Sequence, residues 1–133
     1  MVRGVPIDAL TPYAHVADLQ RSIDFYRLLG LEVRNTHEVD GKLVWAFVTG
    51  PTPEPNAAGA RLMLALADEP VDPAAQAVLF YCWAPDVHAL RDELLAAGVP
   101  VGPVHRPFYM PAGEIRLVDP DGYVVLVGRL GAG

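Results

Sequence analysis

Disulfide bonding is the first thing this chain cannot use. It holds one cysteine, Cys82, in 133 residues, so no internal bridge staples the fold and a cytoplasmic, reducing location is expected. Long apolar runs are missing too. The longest, Ala77 to Ala84, is far short of a membrane span and is interrupted by aromatic residues with polar edges, so no membrane partner is expected. No basic stretch followed by an apolar one opens the chain, which leaves secretion without support. Basic residues are few: 10 Lys and Arg against 16 Asp and Glu give a net charge of −6. That balance argues against nucleic acid and suits a neutral or cationic ligand. Gly-rich phosphate cradles, Cys-x-x-Cys pairs and nucleophile-triad signatures are all absent.

What is present is ordinary globular chemistry. Hydrophobic residues make up 52% and charged residues 20%, which predicts one folded domain over residues 1–133 with a real core. Two stretches then repeat one pattern. Val16 to Gly30 reads V-A-D-L-Q-R-S-I-D-F-Y-R-L-L-G, and Ala84 to Gly98 reads A-P-D-V-H-A-L-R-D-E-L-L-A-A-G. In each, an Asp opens a helical pattern that ends at a Gly 12 positions later. Asp18 and Asp86 can cap the free amides of a first turn. Leu19, Ile23, Tyr26 and Leu29 form one buried stripe, and Val87, Leu90, Leu94 and Leu95 another. Gly30 and Gly98 suit left-handed stops.

Strands are expected at Leu10 to Val16, Leu31 to Glu38, Lys42 to Thr49 and Ala60 to Ala67. The Asp40-Gly41 turn closes the first hairpin, and Gly50 to Gly59 is a loop. After a linker from Asp68 to Gln76, strands are expected at Val78 to Ala84, from Val99 to Val104, at Glu114 to Val118 and at Tyr123 to Arg129. The result is an internal repeat of about 65 residues, with units near 8–67 and 77–130. This is an α+β pattern, with helices packed on one sheet face.

The V-x-D-L-x-x-S-I-x-F-Y-x-x-L-G segment and the Asp119-Pro120-Asp121-Gly122-Tyr123 turn resemble the vicinal oxygen chelate superfamily of glyoxalases, dioxygenases and bleomycin-resistance proteins. The likeness runs from about Leu10 to Arg129. It implies two βαβββ repeats forming a curved mixed sheet around a cavity, helices outside, commonly completed as a homodimer. Enzymes of that superfamily hold a divalent metal with one side chain each from the first, fourth, fifth and eighth strands. Carried over, these positions fall on Thr11, Met63, Phe80 and Leu126. Such metals need oxygen or nitrogen donors, which this set lacks, so neither a metal nor another cofactor is expected.

The resemblance with strand alternation then gives a cavity floor of Thr11, Tyr13, His15, Met63, Phe80 and Leu126, with Arg61, Ala65, Cys82 and Val124 on the same faces. These six are the expected ligand contacts, for a small, partly aromatic molecule; no catalytic residue is assigned. Trp45 and Phe47 share a face that the sequence does not fix. His15 has a competing reading as a histidine bonded within the sheet. His37 and Glu38 are expected in solvent, His88 on the surface or in the packing of the second helix, and His105 and Arg106 at a pocket rim or in solvent. Tyr81 and Trp83 are expected beneath a helix, and Cys82 as an inert buried thiol. The Phe108-Tyr109-Met110-Pro111 loop reads equally as lid or interface. Two functions follow. One is a metal-independent protein that binds a metabolite or antibiotic; the other is a divergent lyase, isomerase or dioxygenase-like enzyme. The enzyme would act through His15, His105, Glu114 or Tyr109, or through a relocated metal site.

Overall fold

The computed structural model describes residues 4, 7, 9–51 and 59–129. The middle of the Pro-rich stretch between Gly50 and Gly59 and the outer ends of both repeat units therefore lie outside the described residues. The first unit runs β1 (Tyr13–Val16), α1 (Leu19–Arg27), β2 (Glu32–Val39), β3 (Lys42–Thr49) and β4 (Arg61–Leu66). The second runs β5 (Leu79–Ala84), α2 (Val87–Ala96), β6 (Glu114–Val118) and β7 (Val124–Arg129). The architecture is mixed α+β, with a four-stranded sheet in the order β1-β4-β3-β2 and a three-stranded sheet in the order β5-β7-β6. Among the described residues no helix is long and apolar enough to cross a membrane.

Local chemistry places these elements. The Asp18 carboxylate accepts the Arg21 amide at 3.1 Å, and Asp86 accepts the Ala89 amide at 3.0 Å. Each satisfies an amide that the helix leaves free. Gly30 and Gly98 stop the helices at φ of 84° and 81°. Asp40 and Gly41 both take positive φ, as a tight turn with right-handed strand twist requires. Of the expected α2 stripe, Val87 and Leu94 are buried, whereas Leu95 is exposed.

The second unit lacks its expected strand from Val99 to Val104. Pro100 and Pro103 bring no amide hydrogen to a ladder; the stretch itself pairs with nothing, and a single bridge follows it, between His105 and Glu114.

One apolar cluster spans both units. Val16, Leu19, Ile23, Val48 and Leu64 join Leu94, Ile115, Leu117, Val125 and Val127. Each such large side chain contributes on the order of 2 kcal/mol by leaving water. α1 packs on β3 and β4, and α2 on β6 and β7. Each sheet thus has a helix-covered face and an open one.

The units are also joined by a polar clasp. Asp119 and Asp121, in the turn between β6 and β7, are 4% and 1% exposed. Asp121 accepts the Ala17 amide at 2.7 Å and the Ser22 hydroxyl at 3.3 Å. Asp119 accepts the Tyr26 hydroxyl at 2.7 Å and the amides of Asp121 and Tyr123 at 2.8 and 2.9 Å. Gly122 makes the turn possible twice over. Its φ is 88°, and a Cβ there would run into the Pro73 backbone.

Replacing Asp121 with Ala strands a buried amide and a buried hydroxyl. The expected cost is about 3 kcal/mol, and the melting temperature should fall by on the order of 10 °C. A calorimetric melting point within a degree or so of wild type would refute the clasp's importance.

A second expectation concerns pH. Burial raises the Asp119 carboxyl above its ordinary value, outweighing hydrogen bonds that pull it down. The folded state therefore favours the protonated form. This contribution is fully present below the unfolded pKa and is lost as pH rises through the folded pKa. Urea midpoints across the acid range should show wild type losing ground to Asp119→Asn as pH rises through that window; parallel curves would contradict the assignment.

Candidate ligand-binding site

The open face of the first sheet follows from its register. Ala14 and Val16 turn into the core, so Tyr13 and His15 turn the other way. Tyr13 pairs with Met63 and His15 with Ala65; across β4, Ala65 pairs with Trp45, Met63 with Phe47 and Arg61 with Thr49. Trp45 and Phe47 therefore share the face of Tyr13, His15 and Met63, which settles their orientation. The Arg61 guanidinium lies 5.5 Å from the Phe47 ring centre. Thr11 precedes β1, and the neighbouring Pro12 carbonyl accepts the Met63 amide at 2.9 Å.

The second sheet corrects one expected site residue. Phe80 lies opposite Val125 and packs against the core cluster, as do Cys82 and Ala84. Its ring sits 5.5 Å from that of Tyr123. The open face instead carries Leu79, Tyr81 and Trp83, beside Val124, Leu126 and Gly128. Leu126 keeps its expected face. The physical reason is a one-residue slip, which turns every side chain of a strand over. Thr11 lies 7 residues before Asp18, and the same count back from Asp86 ends on Leu79. Tyr81 and Trp83, expected beneath a helix, face outward, whereas Cys82 is packed and burial raises its thiol pKa.

Sequence reasoning also missed what gathers around Glu114. β6 sets Glu114 opposite Gly128 and Arg116 opposite Leu126. The Tyr81 hydroxyl donates to Glu114 Oε2 at 2.6 Å, and the Tyr109 hydroxyl to Oε1 at 3.1 Å. Desolvation and the carboxylate beside it push the Tyr81 phenol up to about 12, and the same causes raise Tyr109. Both phenols are therefore donors at neutral pH. The Tyr81 and Trp83 ring centres are 5.0 Å apart, and Phe108 meets Tyr109 edge-on at 5.5 Å. A Cβ on Gly128 would fall 2.8 Å from the Tyr81 hydroxyl and 2.7 Å from the Met110 methyl. Glycine is what leaves room for both. The one signal in the sequence was the count from Asp86, which puts Tyr81 in the row of Leu126.

The remaining candidates scatter. The His15 ring lies 5.4 Å from that of Tyr13, tilted by 59°, and borders a cleft of about 480 Å³ with Asp68, Glu69 and Tyr123. The Tyr123 hydroxyl holds the His15 carbonyl at 3.1 Å. His88 and Arg106 line a separate cleft of about 360 Å³ with Arg129 at the start of α2. His37 lies opposite Trp45 and is exposed, as are Glu38 and His105. Among the described residues no strand of one sheet pairs with a strand of the other. Both open faces keep large apolar side chains in water, with Tyr13, Leu79 and Trp83 each more than half exposed.

A family model described as Glyoxalase/Bleomycin resistance protein/Dioxygenase superfamily matches residues 9–127. The chain belongs to that superfamily. No curated protein matches it in sequence. Solved structures do match in shape. A bleomycin-binding protein complexed with bleomycin has a TM-score of 0.68 at 17% identity, covering 92% of this chain and 98% of that one. An antibiotic binding protein from Streptomyces sp. CB03234 has a TM-score of 0.71 at 20% identity, with coverage of 95% and 98%. A lactoylglutathione lyase from Agrobacterium tumefaciens has a TM-score of 0.61 at 22% identity, with coverage of 95% and 96%. At these identities the likeness establishes the fold.

The superfamily's metal does not fit the residues here. Thr11 offers a neutral hydroxyl, Met63 a soft thioether, and Leu126 with Leu79 or Phe80 only hydrocarbon. Among the described residues no three His, Cys, Asp or Glu side chains are placed to hold a metal ion.

The corrected facing separates core from site. Phe80→Ala should cost about 3 kcal/mol in denaturant unfolding by emptying core volume. Trp83→Ala, at a half-exposed position, should cost about 1 kcal/mol or less. The reverse order would restore the original facing.

Proposed function

We propose that this superfamily member is a metal-independent binding protein for a small, partly aromatic metabolite or antibiotic, working in the cytoplasm as a single-domain homodimer. One observation carries the reading. The four positions where the superfamily's enzymes place metal ligands hold no suitable donor, while the open faces around them are lined by Tyr13, Trp45, Phe47, Tyr81 and Trp83. Rings arranged on a concave face suit a planar ligand by stacking and by burial of apolar area.

The dimer follows from the same surfaces. Large apolar side chains on both open faces stand in water. A second copy related by a twofold axis covers both faces at once and creates two equivalent sites. The likeness in fold to a bleomycin-binding protein and to an antibiotic binding protein supports the same choice of ligand class.

Three measurements test the proposal. Elemental analysis should find no stoichiometric nickel, zinc, iron or manganese; one tightly held ion per chain would overturn metal independence. Light scattering at micromolar concentration should give the mass of a dimer, and a monomer would remove the assembly. A thermal-shift screen of aromatic metabolites and antibiotics should find ligands that raise the melting temperature and quench intrinsic fluorescence, through preferential binding to the folded state. Chemical turnover of such a ligand, abolished by His15→Ala with affinity retained, would make the chain an enzyme instead.

A further inference from the structure

We propose that the cleft where α2 begins is a second binding site, separate from the open faces, and that it takes the phosphate group of a small aliphatic phosphate monoester. Three basic side chains meet there from distant parts of the chain: His88 from α2, Arg106 from the segment before β6, and Arg129 from the end of β7. With Asp86, Val87 and Ala112 they line a volume of about 360 Å³. Strand alternation sets this cleft apart from the aromatic surfaces. Gly128 lies on the open face, so Arg129, the next residue, turns to the helix-covered side. Its β5 partner Ala84 turns the same way and packs against the core.

Local charge selects an anion here. The chain as a whole carries −6, yet in this cleft two guanidiniums face one carboxylate. That carboxylate is already engaged, since Asp86 accepts the Ala89 amide at 3.0 Å as the cap of α2. Among the described residues neither Arg106, Arg129 nor His88 has an ion-pair partner. Arg106 is held in place through Nη1, which donates to the Pro111 carbonyl at 3.0 Å. This leaves most of its five N–H donors unused. One guanidinium fork is enough for the two oxygens of a carboxylate. Two forks and an imidazole suit a group with three acceptor oxygens and up to two charges, which a phosphate monoester supplies. The rest of the lining is short and aliphatic, with no Phe, Tyr or Trp to stack a nucleobase. Its volume, at the low end for small-molecule sites, leaves room for a short carbon chain beyond the phosphate.

Glycerol 3-phosphate and glycerol, titrated into the wild-type protein at constant ionic strength, test this by amide NMR shifts and melting temperature. Glycerol 3-phosphate should move the amides of Val87, His88, Ala112 and Arg129 saturably and raise the melting temperature, and glycerol should do neither. Arg106→Gln and Arg129→Gln, both at exposed positions, should each weaken glycerol 3-phosphate by about five-fold. Arg27→Gln, on the exposed side of α1, should bind as wild type does. If Arg106→Gln disturbs its own segment, Arg129→Gln and the contrast with glycerol decide. Shifts that never saturate, or an affinity unchanged in both cleft variants, overturn the site. So does acetate binding as tightly as glycerol 3-phosphate, because the cleft would then not select phosphate.

Discussion

Two carboxylates in one turn hold this molecule together. Asp119 and Asp121 belong to the second repeat, yet their partners Ala17, Ser22 and Tyr26 belong to the first. Apolar packing between the repeats is extensive but non-directional; it does not choose one relative orientation among several of similar area. Short hydrogen bonds to specific buried groups do choose. Because the same turn starts β7, any shift in it would move Leu126 and Gly128, and with them the row that contains Glu114. The clasp thus links the joint between the repeats to the geometry of the open face.

On the proposed reading, that open face keeps the superfamily's architecture without its metal chemistry. Where a metal would demand oxygen and nitrogen donors, the chain supplies Thr11, Met63, Leu126 and hydrocarbon on β5. The polar investment has moved a short distance to the far side of β7, where Glu114 accepts from two phenols. The half-exposed rings on both sheets fit the same economy, since they cost little in an isolated chain and become useful when covered.

The sequence was most legible where a local rule acts within a few residues. Asp18 and Asp86 capped helices as their positions announced, Asp40-Gly41 closed its hairpin, and Glu114–Val118 formed a strand with the expected bounds. Legibility failed where alternation carried no contrast. Val78 to Ala84 is apolar throughout, so neither face of β5 is marked, and the facing rested on a count that slipped by one at Phe80. It failed again where partners are remote. The turn signature at Asp119-Pro120-Asp121-Gly122 was plain, but the Tyr26 hydroxyl that Asp119 accepts lies 93 residues away. The Val99–Val104 strand was read from its valines, and Pro100 and Pro103 denied it the ladder.

Those prolines have a consequence beyond a missing strand. With β6 at the margin of its sheet and one bridge at His105 covering it, unpaired backbone groups would ordinarily invite a strand from another molecule. Such margins are a common route to fibrillar association. The segment before that bridge lacks two of its amide hydrogens. It cannot itself extend the sheet, and it offers an incoming chain no continuous ladder to join. The prolines that removed a strand from this repeat thus also limit how far its sheet can grow past β6.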